Sequence, residues 1–219
     1  MSWDSAYAWQ ILPALLAGVV VTVLVTVACA LIALTGGLAL AVIESVAGRA
    51  GRLPVRALLG LFRGVPILVF LYFGFYALPE IGVVLPAYVV GVLVLGVVYA
   101  AYCSEVYRGA LLTIPDGLRD ASAALGLSRS VMWWKVLIPI AVRKSAPALV
   151  NYILVLYKQT SFLFAIGVPV LFARAQILGS ESFRYLEPYT VTGLIYLAIN
   201  LPVVALLRRY ETQGKDAHA

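Results

Sequence analysis

The chain has 219 residues, 63% of them hydrophobic and only 12% charged, with a mean hydropathy of +1.00. A soluble domain of this length cannot hide so much apolar surface, so the chain is built for lipid and is expected to be an all-α integral membrane protein. The formal charge of +6 does not point to nucleic acid, because a basic excess in a membrane protein collects in its cytoplasmic loops.

The first ten residues lack the basic region and cleavage site of a secretory signal, so the first span is expected to stay as an uncleaved anchor. From Ile11 to about Val46 the chain is nearly charge-free and reads as one tilted helix, with Thr35-Gly36-Gly37 offering a kink and Glu44 near water. Gly48 to Arg63 carries Arg49, Arg52 and Arg56 at helical spacing and reads as a short interfacial helix. Pro66 to Leu78 is a second span, short unless it borrows Leu61 to Gly64. Pro86 to Glu105 is the third. Residues 108–146 form a polar insertion, Pro147 to Val168 a fourth span broken by Lys158-Gln159-Thr160-Ser161, Pro169 to Pro188 a polar loop, and Tyr189 to Leu207 a fifth span stopped by Arg208-Arg209. The whole, residues 1–219, reads as a single transmembrane domain.

Five spans place the termini on opposite sides. The segments after spans one, three and five hold most of the lysines and arginines, so the N-terminus is expected outside, and the insertion and C-terminus in the cytoplasm.

Within the insertion, Pro115-Asp116-Gly117 is a turn signal and Asp116 can cap the next helix. Ala121, Ala123 and Ala124 make that helix slim enough for a groove, and Leu125-Gly126 ends it where a left-handed residue is needed. Ser128 can cap a second helix with an apolar face of Met132, Trp133, Val136 and Leu137, which Pro139 is expected to close. By themselves these features also suit an ordinary loop between helices.

Lys158 stands apart. A cation inside a span must face a bundle interior, a watery cavity or an acidic partner, unless it snorkels to an interface. With Gln159, Thr160 and Ser161 it forms a polar turn whose donors suit a carboxylate, and Gln159 both donates and accepts. Tyr102, Cys103 and Thr22, with Thr26 one turn on, are further candidates to line the same cavity. Tyr102 equally suits an interface belt, Cys103 plain packing, and the threonines bonds to their own helix backbone. Cys29 reads as a small buried hydrophobe. Glu105 and Arg108 are spaced to pair at the mouth of the insertion.

The order Asp120, Ala121, Ser122, Gly126, Val136, Ile138, Pro139 resembles the EAA loop of ABC importer permeases, with Asp for the usual Glu and Ser122 for the second Ala. Phe62-Arg63-Gly64-Val65-Pro66 is similar to the RGTP segment of permeases for polar amino acids. Ala101 to Gly109 resembles their AYxAExxRG, Pro147 to Asn151 their PxxxN, and Lys158 to Phe162 their KDTSL with Gln159 for Asp. The resemblance implies a type I permease with five transmembrane helices in a bacterial inner membrane. It further implies a second permease, identical or paralogous, ATPase subunits binding ATP and magnesium on separate chains, and a periplasmic solute-binding protein.

Asp120, Ala121, Ser122, Ala124, Leu125, Gly126 and Pro139 would then couple to the ATPase, and the Lys158 turn would lie at the substrate site. The Tyr76 to Gly82 and Ser104 to Tyr107 runs look most like permeases for ectoine and hydroxyectoine, and the uncharged Gln159 suits a zwitterion.

The chain has no GxxxxGK[ST] loop to bind nucleotide, no metal-ligand cluster and no nucleophile–base set; no catalytic residue and no metal site is expected. Its one histidine, His218, reads as a tail residue. The rival reading is an ATP-independent channel or secondary carrier, but the internal repeat that would favour it is not seen.

Overall fold

The computed structural model describes residues 3–216; His218 lies outside the described residues. The helices are α1 (Ser5–Val46), α2 (Arg49–Gly64), α3 (Ile67–Tyr72), α4 (Ala87–Leu112), α5 (Asp116–Ala124), α6 (Arg129–Met132), α7 (Ile138–Gln159), α8 (Leu171–Ser182) and α9 (Leu186–Asp216). Asp4 caps α1 by accepting from the Ala6 and Tyr7 N–H groups.

α1 has 42 residues, about 63 Å of helix, and so overruns a hydrocarbon layer of about 30 Å. Gly36 and Gly37 do not interrupt it; they let α4 approach. A Cβ on Gly37 would fall 2.7 Å from the Cys103 Cβ and 3.0 Å from the Ala100 carbonyl oxygen. Ile32 packs on Gly96 in the same way, and Glu44 lies 3.9 Å from Arg108. Contacts that climb together along both helices mean that α1 and α4 run parallel.

Two parallel helices need a return crossing between them, and α3 makes it. Arg63 meets Tyr102 and Gly74 meets Val90, so the chain descends past α4 before α4 rises. α3 runs on through a π turn, Phe73–Ala77, and a 3-10 turn, Pro79–Ile81. It is bent by 98° from the preceding Gly51–Gly64 helix, so α2 lies crosswise at the bundle end, as expected of an interfacial helix. Among the described residues four helical stretches are long and apolar enough to span a bilayer, and the bent pair, counted as one broken span, brings the number to five.

α7 runs antiparallel to α4: Lys144 reaches Thr113, Tyr152 stacks on Tyr102 and Leu163 covers Gly91. α9 returns along α7, with Tyr196 against Tyr157. The N-terminus of α1 and the C-terminal part of α9 therefore lie at opposite ends of the bundle.

Three expectations change. The loop expected over 169–188 is largely α8, because Leu171, Ala175 and Leu178 form an apolar face that packs on Ile11 and Leu15 of α1. Arg174, Gln176, Ser180 and Glu181 on its other faces had hidden that face in the hydropathy. Pro139 does not close the insertion; α6 continues through a π turn, Trp133–Leu137, straight into α7. Pro139 has no N–H for the Lys135 carbonyl and crowds it, and the wider π turn absorbs both defects. The insertion is also tighter than 108–146, since α4 extends to Leu112 and α7 begins at Ile138.

Candidate functional site

The insertion folds as two short helices around a tight stop. Asp116 is the first helical residue of α5 rather than its cap, which is Pro115; its carboxylate favours the helix through the dipole instead. At the other end Gly126 takes φ +70. The Gly126 N–H donates to the Ala123 carbonyl and the Leu127 N–H to that of Ser122, the paired bonds of a Schellman stop. The Ser128 hydroxyl accepts from the Val131 N–H at 3.4 Å, as expected of a cap.

α5 is held by one face. Ser122 is buried and its hydroxyl donates to the Leu118 carbonyl at 2.7 Å, so this polar substitute for alanine satisfies itself inside the helix. Asp120, Ala121, Ala124, Leu125 and Gly126 are exposed, as is Pro139. Leu125 is 78% exposed, an apolar side chain standing clear of its own fold.

Behind the insertion an ionic relay joins three helices. The expected pair forms, with Arg108 donating twice to Glu105. Arg63 reaches the other Glu105 oxygen at 3.0 Å, and Arg56 donates to Glu44 at 2.7 Å. Glu44 is therefore not near water: its side chain is 2% exposed. The sequence signal was available, since Glu44 is the lone acid of a long apolar run that leads into a row of arginines.

At the polar turn, α7 gives way to a 3-10 turn, Thr160–Ile166, closed by Gly167 at φ +80. Thr160 is buried, its hydroxyl donating to the Tyr157 carbonyl at 2.7 Å, while Gln159 and Ser161 are half-buried. Lys158 is exposed, with no acid in ion-pair range among the described residues. It shares one face of α7 with Ala148, Asn151 and Val155, spaced three, four and three apart; of these only Val155 is half-buried.

Tyr102 stacks on Tyr152 with ring centroids 5.7 Å apart and donates to the Arg63 carbonyl. Tyr152 lies about two turns before Gln159 on the same side of α7. The structure thus gathers Tyr102, Gln159 and Lys158 on or beside α7, but not Cys103 or Thr22. Cys103 is fully buried against Gly37, packing rather than lining. Thr22 is fully buried too, its hydroxyl accepting from the Leu171 N–H at 2.9 Å, so it satisfies an orphan donor at the start of α8. Thr26 bonds the Thr22 carbonyl. Sequence reasoning missed a buried polar group between α7 and α9, the hydroxyls of Tyr157, Tyr196 and Thr192, which have no hydrogen-bond partner among the described residues. On α9 its signal was Thr192 and Tyr196 one turn apart.

A parallel helix pair with a broken return span between them, a polar turn at the end of an apolar helix and an exposed helical insertion define a multi-helix membrane-embedded subunit. Residues 33–213 match the family described as the binding-protein-dependent transport system inner membrane component, and the chain belongs to that family. It is 34% identical over 212 residues to the probable amino-acid ABC transporter permease protein y4tG of Sinorhizobium fredii (strain NBRC 101917 / NGR234), covering 94% of this chain and 92% of that one. It is 31% identical to the glutamine transport system permease protein GlnP of Escherichia coli (strain K12), covering 98% and 99%. Its fold matches the solved structure of an amino acid ABC transporter with histidines at a TM-score of 0.87 and 28% identity, over 97% of this chain and 100% of that one. A structure of the MetNI methionine ABC transporter matches at TM-score 0.74 and 20% identity, a likeness of fold. The fold is that of a type I ABC importer permease, a multi-pass inner-membrane subunit.

Proposed function

We propose that this permease passes an amino acid, or a zwitterionic amino-acid-like solute such as ectoine, along the flank of α7 at Lys158, Gln159 and Ser161, driven by a separate ATPase that grips α5. The observation that carries the coupling half is the exposed face of α5: Ala121, Ala124 and Leu125 stand out from a helix locked by its Schellman stop. A rigid, slim, apolar projection transmits displacement to α4 and α7 instead of absorbing it. ATP and magnesium belong to that partner. A periplasmic binding protein delivers solute at the opposite end, where Asp4 and Glu187 lie.

The exposed face of α7 carries Asn151 and Lys158 in a segment meant for lipid, where such groups are costly. A second permease, the same chain or a paralogue, would cover it. Arg52, Arg56, Arg63, Arg108 and Arg119 cluster at the insertion end, which supports a cytoplasmic insertion and C-terminus and a periplasmic N-terminus.

The test is uptake of labelled glutamine and labelled ectoine into proteoliposomes that hold the permease, its ATPase and its binding protein. Lys158→Met should lower uptake at least tenfold, as expected for loss of one charge-assisted contact to a carboxylate, with ATPase binding intact. Uptake that persists without the ATPase, or is indifferent to Lys158→Met, would refute the corresponding half of the reading.

A further inference from the structure

α1, α2, α4 and α5 enclose a cleft of about 290 Å³ at the insertion end. Arg52, Arg56, Arg108 and Arg119 line it against Glu44 and Asp116, four positive charges to two negative. The two carboxylates do not use these donors up. Glu44 is taken by Arg56 at 2.7 Å, Arg108 is held by Glu105, and Arg52 caps the Glu44 and Ser45 carbonyls at the end of α1. Arg119 is left with Asp116 at 3.9 Å, a carboxylate 95% exposed to solvent. The Arg119 side chain is 41% exposed, but its Nε is buried and has no hydrogen-bond partner among the described residues, an exception to the rule that buried donors are paired. The first turn of α5 opens on the same wall and adds its partial positive charge.

The surroundings choose between anions. The cleft lies beside α2, which crosses the bundle end at 98° to α3, as a helix in the membrane interface does. Leu112 on the cleft wall is 71% exposed, and Leu53, Leu58 and Leu61 of α2 are also exposed. A soluble anion has no use for the exposed Leu112 on the wall or for the apolar side chains that the neighbouring α2 presents; acyl chains do.

We propose that the cleft binds the phosphodiester headgroup of an anionic membrane lipid. Arg119 and the Arg52 Nη1, which the α1 carbonyls leave unused, donate to the phosphate oxygens, and the acyl chains leave past Leu112. The lipid then bridges α5 to α1 and α2, so the seating of the insertion depends on the charge of the surrounding leaflet.

The experiment is native mass spectrometry of the full transporter complex in detergent micelles, with phosphatidylglycerol or phosphatidylcholine titrated in. Wild type should retain one phosphatidylglycerol per permease chain in preference to phosphatidylcholine. Arg119→Gln should weaken that retention roughly tenfold, while Arg143→Gln, an exposed charge outside the cleft, should not. Arg119→Lys, which keeps the charge but not the fork, should fall between. Equal retention of both lipids by wild type would overturn the proposal, and that comparison decides even if the variants do not purify. Retention unchanged in Arg119→Gln would overturn the site. Inorganic phosphate is the remaining arm: if it displaces phosphatidylglycerol at equal concentration, the acyl chains contribute nothing and the cleft takes a free anion.

Discussion

Glu44 and Arg56 form a pair whose two halves live in different solvents, and this makes their mutational costs unequal. The Glu44 side chain is 2% exposed and that of Arg56 56%. Arg56→Ala strands a buried carboxylate whose remaining cation, Arg108, is 3.9 Å away and already engaged by Glu105. Breaking a buried pair in this way costs about 3 kcal/mol. Glu44→Gln removes the buried charge and leaves Arg56 to water, so its cost is the lost charge-assisted bond, about 1 kcal/mol. In the double variant the stranded charge is gone, and the loss should return to about 1 kcal/mol instead of the additive sum of about 4. For a chain of this size each kcal/mol moves the melting temperature by roughly 2–4 °C. Thermal unfolding followed by tryptophan fluorescence in one detergent should therefore put Arg56→Ala roughly 6–12 °C below wild type, and Glu44→Gln and the double variant close together at roughly 2–4 °C below it. If Glu44→Gln costs as much as Arg56→Ala, or the double variant is additive, the carboxylate is not stranded by loss of Arg56 and the reasoning fails.

Gly37→Ala should destabilise the chain by about 1–3 kcal/mol, because its Cβ meets α4 backbone and Cβ atoms at 2.7–3.1 Å. Gly60→Ala, with open space around it, should be neutral or gain about 0.5 kcal/mol from helix propensity; equal effects in a melting assay would contradict the close approach of α1 and α4. Gly126→Ala forces a Cβ onto φ +70 and should cost about 1 kcal/mol while lowering ATP-coupled uptake more than permease yield; loss of yield alone would make the stop structural only. At the other end of the bundle, Asp4 is held below its ordinary value of 3.8 chiefly by the Tyr7 N–H, with further bonds from Arg184 and the Ala6 N–H overcoming partial burial. A depressed folded value means that the stabilisation is complete above the ordinary value and is lost as pH falls through the depressed one, so Trp3 fluorescence should report loosening of the α1 start only in strong acid. Asp4→Asn, which still caps but cannot titrate, should weaken that transition, leaving the part due to Glu187, which accepts from the Asp4 N–H and from Arg184.

The insertion was the most legible part, because its determinants are local. A left-handed glycine, a cap serine and an alanine-rich turn act over four or five residues, and Gly126, Ser128 and Ala121 to Ala124 stand where their spacing places them. Pro139 misled for a related reason: proline normally stops a helix, and only a π turn five residues long lets α6 and α7 continue through it. α8 was lost because its buried face is narrow, three residues among polar neighbours, too thin for an average over the segment to show.

Composition and charge order by themselves determined that this chain lives in a membrane, where its spans fall and which segments gather the arginines, since those properties depend only on transfer of side chains between water and lipid. Only the tertiary structure decided that α1 and α4 run parallel and that α3 must therefore be a crossing. It alone placed Cys103 and Thr22 in packing, Lys158 on an open face and Glu44 inside an ionic relay. In a lipid-bound helix, a residue facing hydrocarbon and one facing another helix are equally apolar, so hydropathy carries no record of which side meets a neighbour.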